Sequence, residues 1–225
     1  MSAQTGTASD HQPSQSGARH ATPADVPSAP SAAFFAGNPA AVGLPAFIAG
    51  SVALALYLTG YVPADAVGAS IPIIFAATGL GLTIATLWGA AVGQTVVASI
   101  FGIFAGFWLS YAMLVLGLTH GWFAISTDAV VRTLALFLIT WLVIILMLTI
   151  ATLRLPLAFT VLFVLIDAAL AVLLVATLNG SSSLSKVSGW LVFLFAAVGV
   201  YLYVGITVQA TGGKGFPLGR PVISS

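Results

Sequence analysis

The fold of this chain is decided at residues 37–47, which read GNPAAVGLPAF. A polar segment rich in Ser, Ala and Pro ends here, and a series of apolar segments begins. Asn38 is a residue type that caps helix starts, and Pro39 is tolerated in the first turn of a helix. A helix that begins here presents free N–H groups and the positive end of its dipole, where an anion can wait. The alternative is that Asn-Pro only ends the tail and orients the first span.

Composition places the chain in a lipid bilayer. Of its 225 residues, 60% are hydrophobic and 5% are charged, whereas soluble domains carry about 25% charged residues. The net charge of +1 and the six scattered Lys and Arg supply no basic patch, which argues against a nucleic-acid partner. Because Cys is absent, disulfides and thiolate metal sites are excluded. We expect no metal site and no cofactor.

The chain divides into three parts. Residues 1–33 contain no apolar run and are predicted to be a disordered tail, in which His11 and His20 are solvated and no secretory signal is present. Residues 34–210 form a six-span transmembrane domain, and residues 211–225 form a short C-terminal tail. The predicted spans are 44–62, 67–90, 95–118, 129–153, 156–178 and 189–209. Their short connections predict an all-α integral membrane protein, a six-helix up-and-down bundle.

Basic residues favour one orientation of this bundle. With the N-terminal tail in the cytoplasm, four Lys and Arg lie inside and two lie outside: Arg19, Arg154, Lys214 and Arg220, against Arg132 and Lys186. Because Lys and Arg prefer the cytoplasmic side, this count favours cytoplasmic termini.

Two stripes of side chains run along the third span at helical spacing. One is made of small residues: Ser99, Gly102, Gly106 and Ser110. Such stripes let membrane helices approach closely. The other is aromatic: Phe101, Phe104, Trp108 and Tyr111. On spacing alone, an aromatic stripe is more typical of helix packing or lipid contact than of a pore lining.

Residues 38–44, NPAAVGL, resemble the NPAPLGL signature of the acetate uptake transporter family, the succinate-acetate permeases. Further family segments follow in order: GQT at 93–95, GFWL at 106–109, ATLR at 151–154, GW at 189–190 and FPLG at 216–219. The resemblance implies a plasma-membrane protein with both termini cytoplasmic, which assembles as a homo-hexamer. It also implies a pore within each protomer for acetate and similar short mono- or dicarboxylates, possible coupling to protons, and no enzyme activity.

The resemblance also implies site residues. Asn38 and Pro39 fall at the family's substrate entry, and Phe47, Phe104 and Ile166 fall where the family narrows its pore. The family commonly has Phe, Tyr and Leu at these three positions, so the constriction here is wholly apolar. Such a gate excludes water, and a carboxylate must lose its hydration or cross protonated.

Two departures from the family pattern remove acidic residues. The family's second span usually ends in Glu and a basic run, whereas residues 87–95 read LWGAAVGQT. Its sixth span usually leads into Gly-Glu, whereas residues 205–209 read GITVQ. These losses leave room for a divergent member with another substrate.

Asp167 lies near the middle of the fifth predicted span, where a charge costs at least ~2.5–3.5 kcal/mol. One hypothesis is that Asp167 exchanges protons beside Ile166 and replaces the missing family acids. The other is that a protonated Asp167 only packs, hydrogen-bonded to a backbone carbonyl or to a hydroxyl such as that of Thr160 or Thr140.

Three other function classes compete with carboxylate transport. An aquaporin needs a second Asn-Pro-Ala triplet, which the sequence lacks. A membrane enzyme needs several convergent polar residues within the spans, and Asp167 is the only charge deep in one. A non-transporting structural or signalling membrane protein stays open.

Overall fold

The structure is a computed structural model, and it describes residues 36–224. Within this range six helices are long and apolar enough to cross a membrane, and we number them in chain order: α1 (Ala40–Thr59), α2 (Asp65–Ala91), α3 (Thr95–His120), α4 (Thr127–Ala151), α5 (Leu157–Asn179) and α6 (Ser182–Ala210). No strand occurs in the described range. The predicted all-α, six-span membrane bundle is therefore confirmed. The predicted disordered tail, with His11, His20 and Arg19, lies outside the described residues.

The spans pack as antiparallel neighbours, with the most extensive contact between α1 and α6. Helix α1 packs against α2 and α6, α5 lies between α4 and α6, and α3 packs mainly against α2. In the most apolar stretch of α3, 50% of the residues are buried, compared with 28% in both α2 and α4. The spans α2 and α4 therefore form the outer faces of the bundle, and the contact between α1 and α6 closes it.

The second span is not a regular α-helix. It begins with a 3₁₀ segment at Ala64–Ser70, continues as a π-helix at Ile73–Leu80 and ends as an α-helix at Gly81–Ala91. Thr78 in the π-helical part is fully buried against α1. A Cβ atom on Gly50 of α1 would lie 2.6 Å from the Thr78 hydroxyl oxygen, so the contact between these two spans needs glycine.

Two helices begin four or more residues earlier than the hydropathy pattern predicts. Helix α1 begins at Ala40 rather than at residue 44, and the Asn38 side-chain oxygen accepts the Ala40 N–H at 3.0 Å. Helix α6 begins at Ser182 rather than at residue 189, and the Ser181 hydroxyl accepts the Leu184 N–H at 3.3 Å. In both cases a capping side chain satisfies an N–H group of the first turn, which hydropathy does not detect.

The small-residue stripe of α3 packs against two neighbouring spans. A Cβ atom on Gly102 would lie 3.2 Å from Thr86 of α2, and one on Gly106 would lie 3.1 Å from Trp141 of α4. The stripe therefore lets α3 approach spans on two sides, as its spacing predicts.

The segment that follows α6 folds back onto the bundle. The Leu218 carbonyl accepts the Ala158 N–H of α5 at 2.9 Å, and the Tyr201 hydroxyl of α6 donates to the Pro217 carbonyl at 2.7 Å. The Phe216 ring lies 5.1 Å from the Tyr201 ring, measured between centroids. Part of the predicted C-terminal tail is thus held against α5 and α6, while most of its described residues are exposed.

Candidate functional site

Three cavities follow one another through the bundle. The terminal vestibule has a volume of 320 Å³ and is lined near its mouth by Asn38, Gln94, Gln209, Phe216 and Leu218. The opposite vestibule has a volume of 290 Å³ and is lined by five hydroxyl side chains among apolar ones: Tyr57, Tyr111, Thr119, Thr177 and Ser185. Both described ends of the chain therefore lie at the terminal vestibule.

Between the vestibules lies a cavity of 30 Å³, which we call the constriction. Phe47 and Phe104 line both the terminal vestibule and the constriction. Leu173 lines both the constriction and the opposite vestibule. Because adjacent cavities share wall residues, the three form one candidate path.

The constriction is walled mainly by aromatic and aliphatic side chains. The rings of Phe47 and Phe104 meet edge to face, with centroids 4.9 Å apart, and the Phe195 ring lies 5.7 Å from that of Phe47. A cavity of this size has room for a water molecule, which needs about 10–15 Å³ by the same measure, but an ordered water also needs two to four polar partners. The Ser188 hydroxyl at the wall already donates to the Ala169 carbonyl at 2.9 Å. The cavity thus offers water little besides apolar surface, as expected of a gate that excludes water.

The structure brings the three predicted constriction residues together. Phe47, Phe104 and Ile166 come from α1, α3 and α5, all three are buried, and all three line the constriction. Their role in narrowing a pore stays a prediction.

The two predicted entry residues are placed differently. Asn38 is exposed and lines the terminal vestibule, whereas Pro39 is fully buried and is not among the residues that line it. The Pro39 carbonyl instead accepts the N–H groups of Val42 and Gly43, at 3.1 and 3.0 Å. Pro39 therefore shapes the first turn of α1. Of the two residues only Asn38 lines the vestibule, and its role at substrate entry stays a prediction.

Asp167 is buried in the contact between α4 and α5 and lines none of the three cavities. Its Oδ2 atom lies 2.7 Å from the Thr149 hydroxyl oxygen, within hydrogen-bonding distance. The same hydroxyl lies 2.9 Å from the Ile145 carbonyl of its own helix. Because Thr149 has one hydroxyl hydrogen, both bonds form together only when the Asp167 carboxyl carries a proton and donates it to Thr149.

Both hydroxyl partners suggested for Asp167 by the sequence are wrong. Thr160 lies two helical turns away on the same helix, about 10 Å along its axis, and its hydroxyl has no partner among the described residues. The Thr140 hydroxyl donates to the Leu136 carbonyl at 2.8 Å. The observed partner, Thr149, lies on the neighbouring span, and sequence spacing does not fix the relative depth of two helices.

The aromatic stripe of α3 follows the whole path. Phe101 lines the terminal vestibule, Trp108 lines the constriction, Tyr111 lines the opposite vestibule, and Phe104 lines the first two cavities. The interpretation from spacing alone favoured packing or lipid contact. These residues do pack in or against the hydrophobic core, but that interpretation misses that they also line the path. It also misses Phe195 and the vestibule amides of Gln94 and Gln209. Two amide side chains at span ends could have indicated a polar vestibule, because the spans carry few amides.

Six apolar spans around a candidate path with an apolar constriction define a multi-pass helical membrane protein. The chain belongs to the GPR1/FUN34/yaaH family, whose family model matches residues 21–212. The resemblance found in the sequence is thereby confirmed.

Similar proteins include two curated fungal proteins. Acetate permease A of Emericella nidulans is 30% identical over 145 residues, which is 60% of this chain and 48% of the permease. The meiotically up-regulated gene 86 protein of Schizosaccharomyces pombe is 32% identical over 152 residues, which is 64% of this chain and 48% of that protein. The chain thus spans about half the length of the curated relatives it matches.

One solved structure shares the fold. The bacterial acetate channel SatP aligns with a TM-score of 0.72 and 23% identity, and the alignment covers 81% of this chain and 99% of that one. These relatives are named a permease and a channel, in agreement with the prediction that the chain is not an enzyme.

Proposed function

We propose that the protein conducts acetate and similar short-chain mono- and dicarboxylates across the plasma membrane, with both termini in the cytoplasm. The observation that carries this proposal is the dry constriction between two larger vestibules, lined by Phe47, Phe104 and Ile166. The names of the permease and the channel that share its family or fold support acetate as the substrate.

The terminal vestibule suits the first step of carboxylate transport. Asn38, Gln94 and Gln209 carry amide groups, which donate hydrogen bonds to carboxylate oxygens without adding charge. Three cations lie at this end of the bundle, Arg154, Lys214 and Arg220, and no acidic residue lies there within residues 36–224. Their field raises the local concentration of anions at the mouth. The methyl group of acetate then meets an apolar wall, and the carboxyl group loses water.

Proton linkage through Asp167 is the finer part of this proposal. Asp167 follows Ile166 on α5, so a proton held there is one residue from the constriction. Its carboxyl group is bonded to Thr149 and must leave that partner to exchange protons with the path.

Assembly as a homo-hexamer is likewise proposed. Large apolar side chains are exposed on the outer spans, for example Leu87 of α2 at 67% and Ile150 of α4 at 69%. Such faces contact lipid or a neighbouring protomer. The mass of the cross-linked protein tests the hexamer, and a monomeric or dimeric mass contradicts it.

Flux into proteoliposomes tests the proposed function. Purified protein is reconstituted, and uptake of labelled acetate is compared with uptake by protein-free vesicles of the same lipid. The external pH is held near 8, so that little neutral acetic acid leaks through the bilayer. We expect saturable acetate uptake, with succinate as a competitor. Uptake no faster than in protein-free vesicles, or rapid water flux without acetate flux, contradicts the proposal.

A further inference from the structure

The chain reverses its direction at the end of α6. Gly212 has a φ angle of +87°, a left-handed conformation that glycine adopts without strain. Its N–H donates to the Gln209 carbonyl at 3.1 Å, and the N–H of Gly213 donates to the Val208 carbonyl at 2.8 Å. This pair of bonds is the Schellman motif, which ends a helix and turns the chain back.

Residues 212–219, which we call the C-terminal segment, form part of the wall of the terminal vestibule. Phe216 and Leu218 line that cavity, and the hydrogen bonds described above hold the segment to α5 and α6. Gly219 has a φ angle of +77°, and a Cβ atom there would lie 2.8 Å from the Leu157 Cβ atom of α5. The segment therefore reaches α5 only because this position is glycine.

The C-terminal segment also contacts the vestibule amide of Gln209. A Cβ atom on Gly215 would overlap the amide group of Gln209 and would lie 2.8 Å from its Cγ atom. The amide thus lies directly against the backbone of the segment. The Gln209 side chain is exposed and lines the vestibule, so a solute can reach it. It makes no hydrogen bond within residues 36–224, and its N–H groups are therefore available to a carboxylate.

We infer that the C-terminal segment is a positioning element for carboxylate uptake, in which Gly215 holds the Gln209 amide in the terminal vestibule. The inference rests on the proposed function. A glutamine side chain loses rotamer freedom when it binds a solute, and this loss weakens binding. Contact with the segment restricts the side chain before the solute arrives, so the hydrogen bond to the carboxylate costs less entropy. Gly215 acts through Gln209 and does not itself contact the substrate.

The variant Gly215→Ala tests the inference. The added methyl group takes the space of the Gln209 amide, and the segment keeps its place because that amide is the end of a flexible side chain. We expect the acetate concentration at half-maximal flux to rise about threefold, the effect of one weak hydrogen bond. Maximal flux should not change, because the constriction limits it. Gly68→Ala is the matched control, since a Cβ atom there meets nothing within 4 Å, and it should change neither quantity.

A double-mutant cycle shows whether Gly215 acts through Gln209. Gln209→Ala alone should raise the half-maximal acetate concentration at least as much as Gly215→Ala does. Adding Gly215→Ala to that variant should cause no further rise, because the amide is already absent. A merely structural role of Gly215 would give independent effects, so a further rise of the same size in the double variant overturns the inference.

The outcomes separate this inference from the proposed function. If the parent protein conducts acetate and Gly215→Ala keeps the parent half-maximal concentration, the inference is wrong and the proposed function stands. If the parent conducts no acetate, the proposed function fails and the inference fails with it.

A second variant covers the case in which Gly215→Ala does not fold. Gln209→Asn keeps an amide but is one carbon too short to place it against Gly215. We expect the half-maximal acetate concentration to rise with an unchanged maximal flux. A half-maximal concentration equal to that of the parent overturns the inference.

Discussion

The two vestibules have similar volumes but offer a carboxylate different groups. At the terminal vestibule the polar wall side chains near the mouth are the amides of Asn38, Gln94 and Gln209. At the opposite vestibule they are hydroxyls, and two of these, on Thr119 and Thr177, donate to carbonyls of their own helices at 2.7 and 2.8 Å. Amides can donate to an anion directly, whereas these two threonines have already used their hydrogens.

Charge reinforces the contrast between the vestibules. Within residues 36–224, the terminal end carries three cations and no acid, as described above. The opposite end carries two of each sign: Asp65 and Asp128, with Arg132 and Lys186. The difference indicates that anions gather at the terminal end and that the opposite end attracts neither sign. In the proposed function, the constriction between the two vestibules limits passage in both directions.

The largest effect is expected when the constriction between the two vestibules is widened. Phe104→Ala removes a ring from the wall of the constriction and with it the barrier to water. We expect acetate flux to rise tenfold or more and larger acids such as benzoate to pass, because a hydrophobic gate depends on its bulk. Flux of both acids into proteoliposomes measures this.

The control is Leu82→Ala, at a fully buried residue that lines none of the three cavities. Truncation of a buried Leu costs about 2–5 kcal/mol and that of Phe about 3–5 kcal/mol, so both variants lose stability. If Phe104→Ala loses stability but keeps the parent selectivity, Phe104 is a packing residue.

The second-largest effect is expected at Asp167, on the pH dependence of acetate flux. Asp167→Asn keeps the shape of the side chain and removes its titration. If Asp167 exchanges protons with the path, the variant loses most of the pH dependence of acetate flux, measured between pH 5 and 8 against protein-free vesicles. Thr149→Val is the control, because it removes the hydrogen-bond partner and keeps the carboxyl group. An Asn variant with the parent rate and pH dependence would leave only the packing role.

A smaller effect is expected at the mouth of the terminal vestibule. Asn38→Ala and Ser181→Ala each remove one helix cap, so each should cost about 1 kcal/mol of unfolding free energy. Ser181 lines neither vestibule, whereas Asn38 lines the terminal one. We expect uptake to fall about threefold in Asn38→Ala, because the substrate loses one weak hydrogen bond. Uptake should not fall in Ser181→Ala. Equal uptake per folded protein in the two variants would show that Asn38 acts only as a helix cap.

The smallest effect is expected from the C-terminal segment. Tyr201→Phe removes the hydrogen bond to the Pro217 carbonyl and should cost ~0.5–1.5 kcal/mol of unfolding free energy. Acetate flux should change less than twofold, because the constriction still limits it. Tyr61→Phe at the opposite end, where the side chain is 78% exposed, is the control. A rise in flux as large as that of Phe104→Ala would make the C-terminal segment the limiting gate.

Hydropathy predicts the number and order of the spans because each needs about 20 apolar residues, whatever its neighbours. It fails at the start of α6, where Ser182–Ser188 is too polar to score and a hydroxyl cap starts the helix instead. Ser188 was predicted to end a connection, yet it lies within α6 at the wall of the constriction. Hydropathy also fails to predict the π-helical part of α2, because a change in backbone hydrogen-bond spacing leaves the apolar composition unchanged.

The candidate site was predictable only where a family signature marked it. Phe47, Phe104 and Ile166 were placed by family order, and they do meet at one cavity. The contact between Gly215 and the Gln209 amide was not foreseen, since a sequence shows that the chain can turn at glycine but not which side chain it then meets. The partner of Asp167 was also missed, because the depth at which α4 and α5 face each other depends on packing along the whole pair.

The contact between α1 and α6 has a consequence for synthesis of the protein. Phe47 of α1 and Phe195 of α6 form neighbouring parts of the constriction wall, and these two spans are the first and the last of the six described spans. A nascent chain that lacks α6 has an open side and therefore encloses no path. The path is thus enclosed only after α6 has inserted against α1, and a chain arrested before α6 should not conduct solute.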